Sequence, residues 1–182
     1  MSTLKTNAIT TVAGKPILNS TGSILQVIQT VKTDIFSTST NANGGVPIPG
    51  LSATITPSNA NNKILICGSF CITSSPGYSA GVSLYRGATL IGAGDRTSDV
   101  STPLQQRVST YVYIYGVEGY GSVVPVPLQY LDSPGTTSAT TYSLNIHNDG
   151  RSSTVVVGNL NETNNTYVLK PLSYIMLMEV SG

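Results

Sequence analysis

Gly77-Tyr78-Ser79-Ala80-Gly81 spells the GxSxG pattern of a nucleophile elbow, and Asp132 and His147 follow it in the Ser, Asp, His order of the hydrolases built on that elbow. An elbow exposes its serine at a sharp strand-to-helix turn and draws oxyanion donors from the helix N-terminus. Here the pattern runs into Val82-Ser83-Leu84-Tyr85, which alternates like a strand, and no parallel sheet with covering helices is legible around it. The residue types suit a serine hydrolase, but the element that must position them is missing, so the expectation is that the chain is not an enzyme. His147 is the single histidine, and beside Asn148-Asp149-Gly150 it reads as a polar residue where a strand enters a turn.

The other chemistry-bearing residues point the same way. Cys67 and Cys71 share one apolar run, and four strand residues separate their Cα atoms by ~13 Å, beyond the ~7 Å reach of a disulfide. They read as buried free thiols, because no second Cys/His pair completes a metal site. Gly92-Ala93-Gly94 continues into Asp95-Arg96-Thr97 without the third glycine or the helix of a dinucleotide loop. Asp95, Asp99, Glu118, Asp132, Asp149 and Glu162 stand apart in sequence, without calcium-loop or glycosidase spacing. No cofactor and no metal are expected.

Only 9% of the 182 residues are charged, far below the roughly 25% of an average globular chain, and Ser, Thr and Asn carry the polarity instead. That composition, with abundant Val, Ile, Thr and Tyr, favours strands and turns and almost no helix. The net charge is +1, with the basic residues scattered, so a nucleic-acid partner is not expected. No run approaches the ~20 apolar residues that span a bilayer, and Met1-Ser2-Thr3-Leu4-Lys5 lacks the apolar stretch of a signal peptide. A soluble protein made in a cytoplasm, without membrane insertion, is the expectation.

Two regions follow. Residues 1–33 carry short apolar groups (Leu4, Ile9, Val12, Ile17, Leu18) broken by Gly14, Pro16 and Gly22, too thin to bury themselves and suited to lying along another surface. They read as an extended attachment or stem segment, with residues 34–182 as one domain. That domain is a succession of short alternating segments separated by turn chemistry: 51–56, 63–73, 82–85, 90–92, 107–115, 123–131, 140–147, 154–157 and 172–180. Strands at this spacing without intervening helices predict an all-β, two-sheet antiparallel sandwich of jelly-roll type. Val124-Pro125-Val126-Pro127 places two prolines in one strand, which belongs at a sheet edge or a bulge.

In Tyr111-Val112-Tyr113-Ile114-Tyr115 three tyrosines share one strand face, and Tyr174-Ile175-Met176-Leu177-Met178-Glu179-Val180 is apolar on both. A sandwich strand has one inner face, so the second needs a cover, either a long loop of the same chain or a neighbouring subunit, and the subunit is the more economical because few loops here are both long and apolar. Tyr111, Tyr113, Tyr115, Tyr174, Met176 and Met178 are the candidate interface residues. Distal loops bearing Tyr78, Tyr120, Asn161 and Asn164 are the candidate contacts to a receptor, since exposed aromatic and amide groups suit carbohydrate.

The opening Ser2-Thr3-Leu4-Lys5-Thr6-Asn7-Ala8-Ile9, the segment Gly22-Ser23-Ile24-Leu25-Gln26-Val27, the strand Leu51-Ser52-Ala53-Thr54-Ile55-Thr56-Pro57 with Lys63-Ile64-Leu65 after it, and the ending Tyr174 to Val180 resemble virion structural and tail-fibre proteins of tailed phages, especially those of marine cyanobacteria. The resemblance implies a trimeric jelly-roll domain similar to the tumour-necrosis-factor/C1q type, on a short N-terminal segment that joins other virion proteins. It implies a virion location and either adhesion to a host-surface carbohydrate or protein, as a fibre or receptor-binding tip, or an architectural part such as a capsid decoration, head fibre or tail adaptor. It supplies no catalytic residues.

Overall fold

Alternation of apolar and polar residues becomes strand wherever the sequence carries it, and the turns fall where Gly, Asn and Pro interrupt it. The computed structural model describes residues 21–40, 42, 44–74, 79–94, 108–113, 123–148, 154–158 and 171–182. Among these the strands are β1 (Ile24–Lys32), β2 (Phe36–Thr38), β3 (Val46–Ile55), β4 (Lys63–Ser74), β5 (Ser79–Arg86), β6 (Thr89–Ile91), β7 (Thr110–Tyr113), β8 (Val124–Asp132), β9 (Thr140–Asn148), β10 (Val155–Val157) and β11 (Ser173–Val180). No helix occurs among the described residues.

Every pairing is antiparallel. In the first sheet β11 lies between β1 and β4, β10 continues its line between β2 and β4, and β8 takes the other side of β4. In the second, β9 lies between β3 and β5, while β6 and β7 occupy successive stretches of the far side of β5. Among the described strands the chain crosses between sheets at six of ten connections, and this strand order is that of a jelly roll. β1 pairs with β11 along its length, so residues 24–32, which the sequence reading put on the stem side of residue 33, are part of the sheet. Residues 1–20 lie outside the described residues.

Inner faces of both sheets meet in one core. Ile64, Ile66, Phe70, Ile72, Ile175 and Leu177 from the first sheet pack against Val82, Leu84, Leu144 and Ile146 from the second, all fully buried. Such side chains each contribute about 1.5–3 kcal/mol on burial. Gly68 leaves room for the Phe70 ring, whose Cζ stands 2.4 Å from where a Gly68 Cβ would be.

Two carboxylates enter the inner face at one end, on either side of Ile64: Glu179 opposite it on β11 and Asp132 opposite it on β8. Asp132 accepts from Arg86 Nη1 at 2.9 and 3.0 Å and from the Tyr142 hydroxyl at 2.7 Å, joining β8 of one sheet to β5 and β9 of the other. Burial, then the bond to Asp132 and its charge, push the Tyr142 phenol well above its usual range. The Pro125 and Pro127 strand, β8, pairs with β4 alone among the described strands and forms an edge there, where a strand can lack donors on one side.

Candidate functional site

Cross-strand partners in an antiparallel pair share a face, so the register fixes what the outer face of the first sheet presents. Val27, Gln29 and Val31 of β1 stand beside Met178, Met176 and Tyr174 of β11. These in turn stand beside Leu65, Cys67 and Ser69 of β4, and then Leu131, Gln129 and Pro127 of β8. Val27 is 53%, Val31 47% and Leu131 48% exposed, so the face is open. Lys63, at one corner opposite Val180, is its only charged side chain among the described residues. The two-faced reading of the last strand is therefore visible in the structure: Ile175 and Leu177 point into the core, and Tyr174, Met176 and Met178 point out.

Four strands about 4.8 Å apart and some nine residues long at about 3.3 Å each make a face on the order of 600 Å². A stable protein contact takes about 800 Å² from each partner. The sulfur atoms suit the role, because methionine adapts its shape to whatever packs on it.

The tyrosines expected at the same contact are on the other sheet. Tyr111 and Tyr113 of β7 pair with Gly81 and Ser79 of β5 and are 70% and 48% exposed, while Val112 between them packs against the core. The structure thus separates the expected interface residues into two patches: Tyr174, Met176 and Met178 on the first sheet, and Tyr111 and Tyr113 at the edge of the second. Tyr115, Leu4, Ile9, Val12, Ile17, Leu18, Tyr78, Tyr120, Asn161 and Asn164 lie outside the described residues.

Ser79, Asp132 and His147 do not form a triad. Asp132 faces the interior with Arg86 and Tyr142, whereas His147 partners Gly81 on the outer side of the second sheet and bonds Ser83 Oγ through Nε2 at 2.6 Å. The GxSxG pattern runs straight into β5 with no helix after it. His147 is not a turn residue: it sits within β9 and is 3% exposed, and burial alone pushes its imidazole down to about 4. Sequence reasoning missed Ser83 because alternation alone marked it as an outward strand residue; its partner His147, and the segment at Gly44 and Gly45 that lies on His147 and Tyr85, are distant in sequence.

Cys67 and Cys71 are free, as their spacing required, but half-exposed on the outer face of the first sheet instead of buried. Among the described residues no three His, Cys, Asp or Glu side chains gather as a metal site. A hollow of about 340 Å³ beside the Glu179 end is lined by Leu25, Ser58, Asn59, Asn61, Asn62, Ser181 and Gly182. Its Asn62 amide is already committed to Ser58 and Glu179.

No family model matches the sequence, and no curated protein matches it. Among solved structures the chain is similar to that of the infectious bursal disease virus Gx strain, at 17% identity over 94% of this chain and 42% of that one, with a TM-score of 0.42. It is also similar to the VP2 subviral particle of infectious bursal disease virus, at 18% identity over 86% of this chain and 38% of that one, with a TM-score of 0.39. The chain spans about two fifths of the length of the structures it matches. The fold assignment rests on the strand order itself: an all-β sandwich of two antiparallel sheets.

Proposed function

We propose that this chain is a structural protein of a phage virion, a homotrimer that serves as a tail fibre or receptor-binding tip and holds the particle to the host surface. The observation that carries the reading is the open, nearly uncharged outer face of the β1, β11, β4 and β8 sheet. A copy of the same chain can cover it without burying an unpaired charge. The face is smaller than a standard contact, so the exposed Tyr111 and Tyr113 edge supplies the remainder: the face of one copy against the edge of the next is a head-to-tail contact, which closes into a ring when the rotation permits. Residues 1–20 dock on a neighbouring virion protein. Three copies of a weak site then raise avidity for a surface carbohydrate or protein without any new contact.

Binding of the purified protein to host cells tests the adhesive part. Saturable binding that intact host-surface glycan competes for supports it. Firm incorporation into particles with no cell binding supports the second reading, a capsid decoration, head fibre or tail adaptor, which the same apolar face favours equally.

A further inference from the structure

Among the described strands, each side of the sandwich ends in one strand edge that is blocked and one that is open. On one side β1 of the first sheet faces β3 of the second, and on the other β8 of the first faces β7 of the second. β3 carries Pro47 and Pro49, and β8 carries Pro125 and Pro127. A proline has no N–H to offer a further strand, so these two edges resist extension. β1 and β7 contain no proline, and each ends its sheet on its own side. The strands in line with them, β2 and β6, are three residues long. Leu25 to Val31 hold neither charge nor glycine, and an edge of that kind invites pairing with another chain. A bulge between Ile24 and Gln26 closes one end of β1 and the inward-pointing Lys32, 3% exposed, closes the other, so the opening is Val27 to Val31.

We propose that in the trimer put forward above, on which this inference rests, β7 of one copy lies along β1 of the next and extends its first sheet by one strand. Two open edges on opposite sides of one chain make a head-to-tail contact: each copy offers β1 to one neighbour and β7 to the other, as a closed ring requires. The blocked edges beside them, β3 and β8, keep the other sheet out of the joint. Side-chain direction sets the register. Along β7 the side chains run out, in, out, with Tyr111 and Tyr113 exposed and Val112 packed against the core. Along β1, Val27 and Gln29 point out while Ile28 packs against the core. Val112 opposite Ile28 continues the inner apolar layer across the joint. An antiparallel run, the direction of every pairing in both sheets, then sets Tyr113 opposite Val27 and Tyr111 opposite Gln29. An aromatic ring opposite a β-branched side chain is a favourable cross-strand pair, and the tyrosine hydroxyls stay at the wet rim. Neither Val27 to Val31 nor Thr110 to Tyr113 holds a charge, so the joint buries none. It runs along the β1 rim of the open outer face, which is where that face and the tyrosine edge of the next copy meet.

The test uses the full chain with Cys67→Ser and Cys71→Ser, which removes both natural thiols. In the stated register Val27 and Tyr113 of adjacent copies have Cα atoms about 4.5–5.5 Å apart, inside the ~7 Å reach of a disulfide. Mild oxidation of the chain carrying both Val27→Cys and Tyr113→Cys is expected to give a covalent three-chain species on a denaturing gel, and either substitution alone is expected to give none. In the otherwise natural chain, Val27→Lys sets a charge on the exposed edge and is expected to lower the sedimenting mass from three chains to one, with an unchanged circular dichroism spectrum. A three-chain particle whose doubly substituted form does not cross-link, or that survives Val27→Lys, overturns the β1–β7 joint while leaving the trimer itself standing. Linked pairs from Val27→Cys alone also overturn it, since they report β1 against β1. A natural chain that sediments as one copy overturns the trimer and the joint together.

Discussion

Asn62 donates its side-chain amide to Glu179 Oε1 at 2.6 Å, across the end of the sandwich between the turn that follows β3 and the last strand. Glu179 is 1% exposed, and it also accepts from the Ser58 N–H and hydroxyl, each at 2.7 Å, and from Gln26 Nε2 at 2.5 Å. A buried carboxylate is tolerated when donors surround it. Burial raises its pKa, but the bonds from Asn62, Gln26 and Ser58 outweigh burial and hold the carboxyl down at about 2.

Acid stability follows from that balance. The folded-state pKa lies below the ordinary carboxylate value of 4.5, so the contribution is complete above about pH 4.5 and is lost as pH falls toward 2. Glu179→Gln turns an acceptor of four bonds into a group with its own donors and is expected to cost about 2–4 kcal/mol at pH 7. Urea melts at pH 6, 4 and 3 check this: the natural chain loses stability in the acid range and the variant loses less.

The strap at Gly45 gives a second expectation. Alanine there meets the His147 ring at 2.6 Å and a φ of +77°, so Gly45→Ala is expected to cost about 2–3 kcal/mol, of which about 1 is backbone strain. In a His147→Ala background the clash disappears and the cost of the same change should fall to about 1 kcal/mol. Thermal melts of the four proteins complete the cycle; equal costs in both backgrounds would remove the stacked arrangement.

His147 adds a pH dependence of its own. Its folded pKa of about 4 lies below its ordinary 6.5, so the neutral buried ring favours the fold fully above about pH 6.5 and progressively less as pH falls to 4. His147→Gln should flatten the melting temperature over that interval while leaving the lower, Glu179 interval in place.

The bridge between the sheets is open to the same kind of test. Tyr142→Phe removes one of three hydrogen bonds to the Asp132 carboxylate without changing shape, and is expected to destabilise by about 2 kcal/mol. If the melting midpoint does not move, Arg86 alone satisfies Asp132.

Much of the fold was legible because alternation is a local signal. Leu51 to Ile55, Thr140 to His147 and the last strand fall in β3, β9 and β11, and the paired prolines sit on an edge. What was not legible depends on who pairs with whom. Ile24 to Lys32 were grouped with the stem segment, but they pair with β11 along the edge of the first sheet. Glu179 was read within an apolar strand, and its place in the interior depends on Gln26, Ser58 and Asn62, each far away in sequence. Tyr111 and Tyr174 were grouped as one surface by residue type, but the strand order puts them on different sheets. Ser83 and His147 meet because β5 and β9 are neighbours in one sheet, and the pattern around Ser79 drew attention four residues too early.

Self-assembly through the outer face of the first sheet is the central claim, and the mass of the purified chain in solution, by sedimentation, tests it most directly. The natural protein is expected at three times the 19.0 kDa chain mass, Met176→Glu at the mass of one chain with an unchanged circular dichroism spectrum, and Tyr113→Ala with weakened assembly and an unaltered melt. A natural protein that sediments at 19.0 kDa at tens of micromolar, or a Met176→Glu variant that stays assembled, would contradict the account.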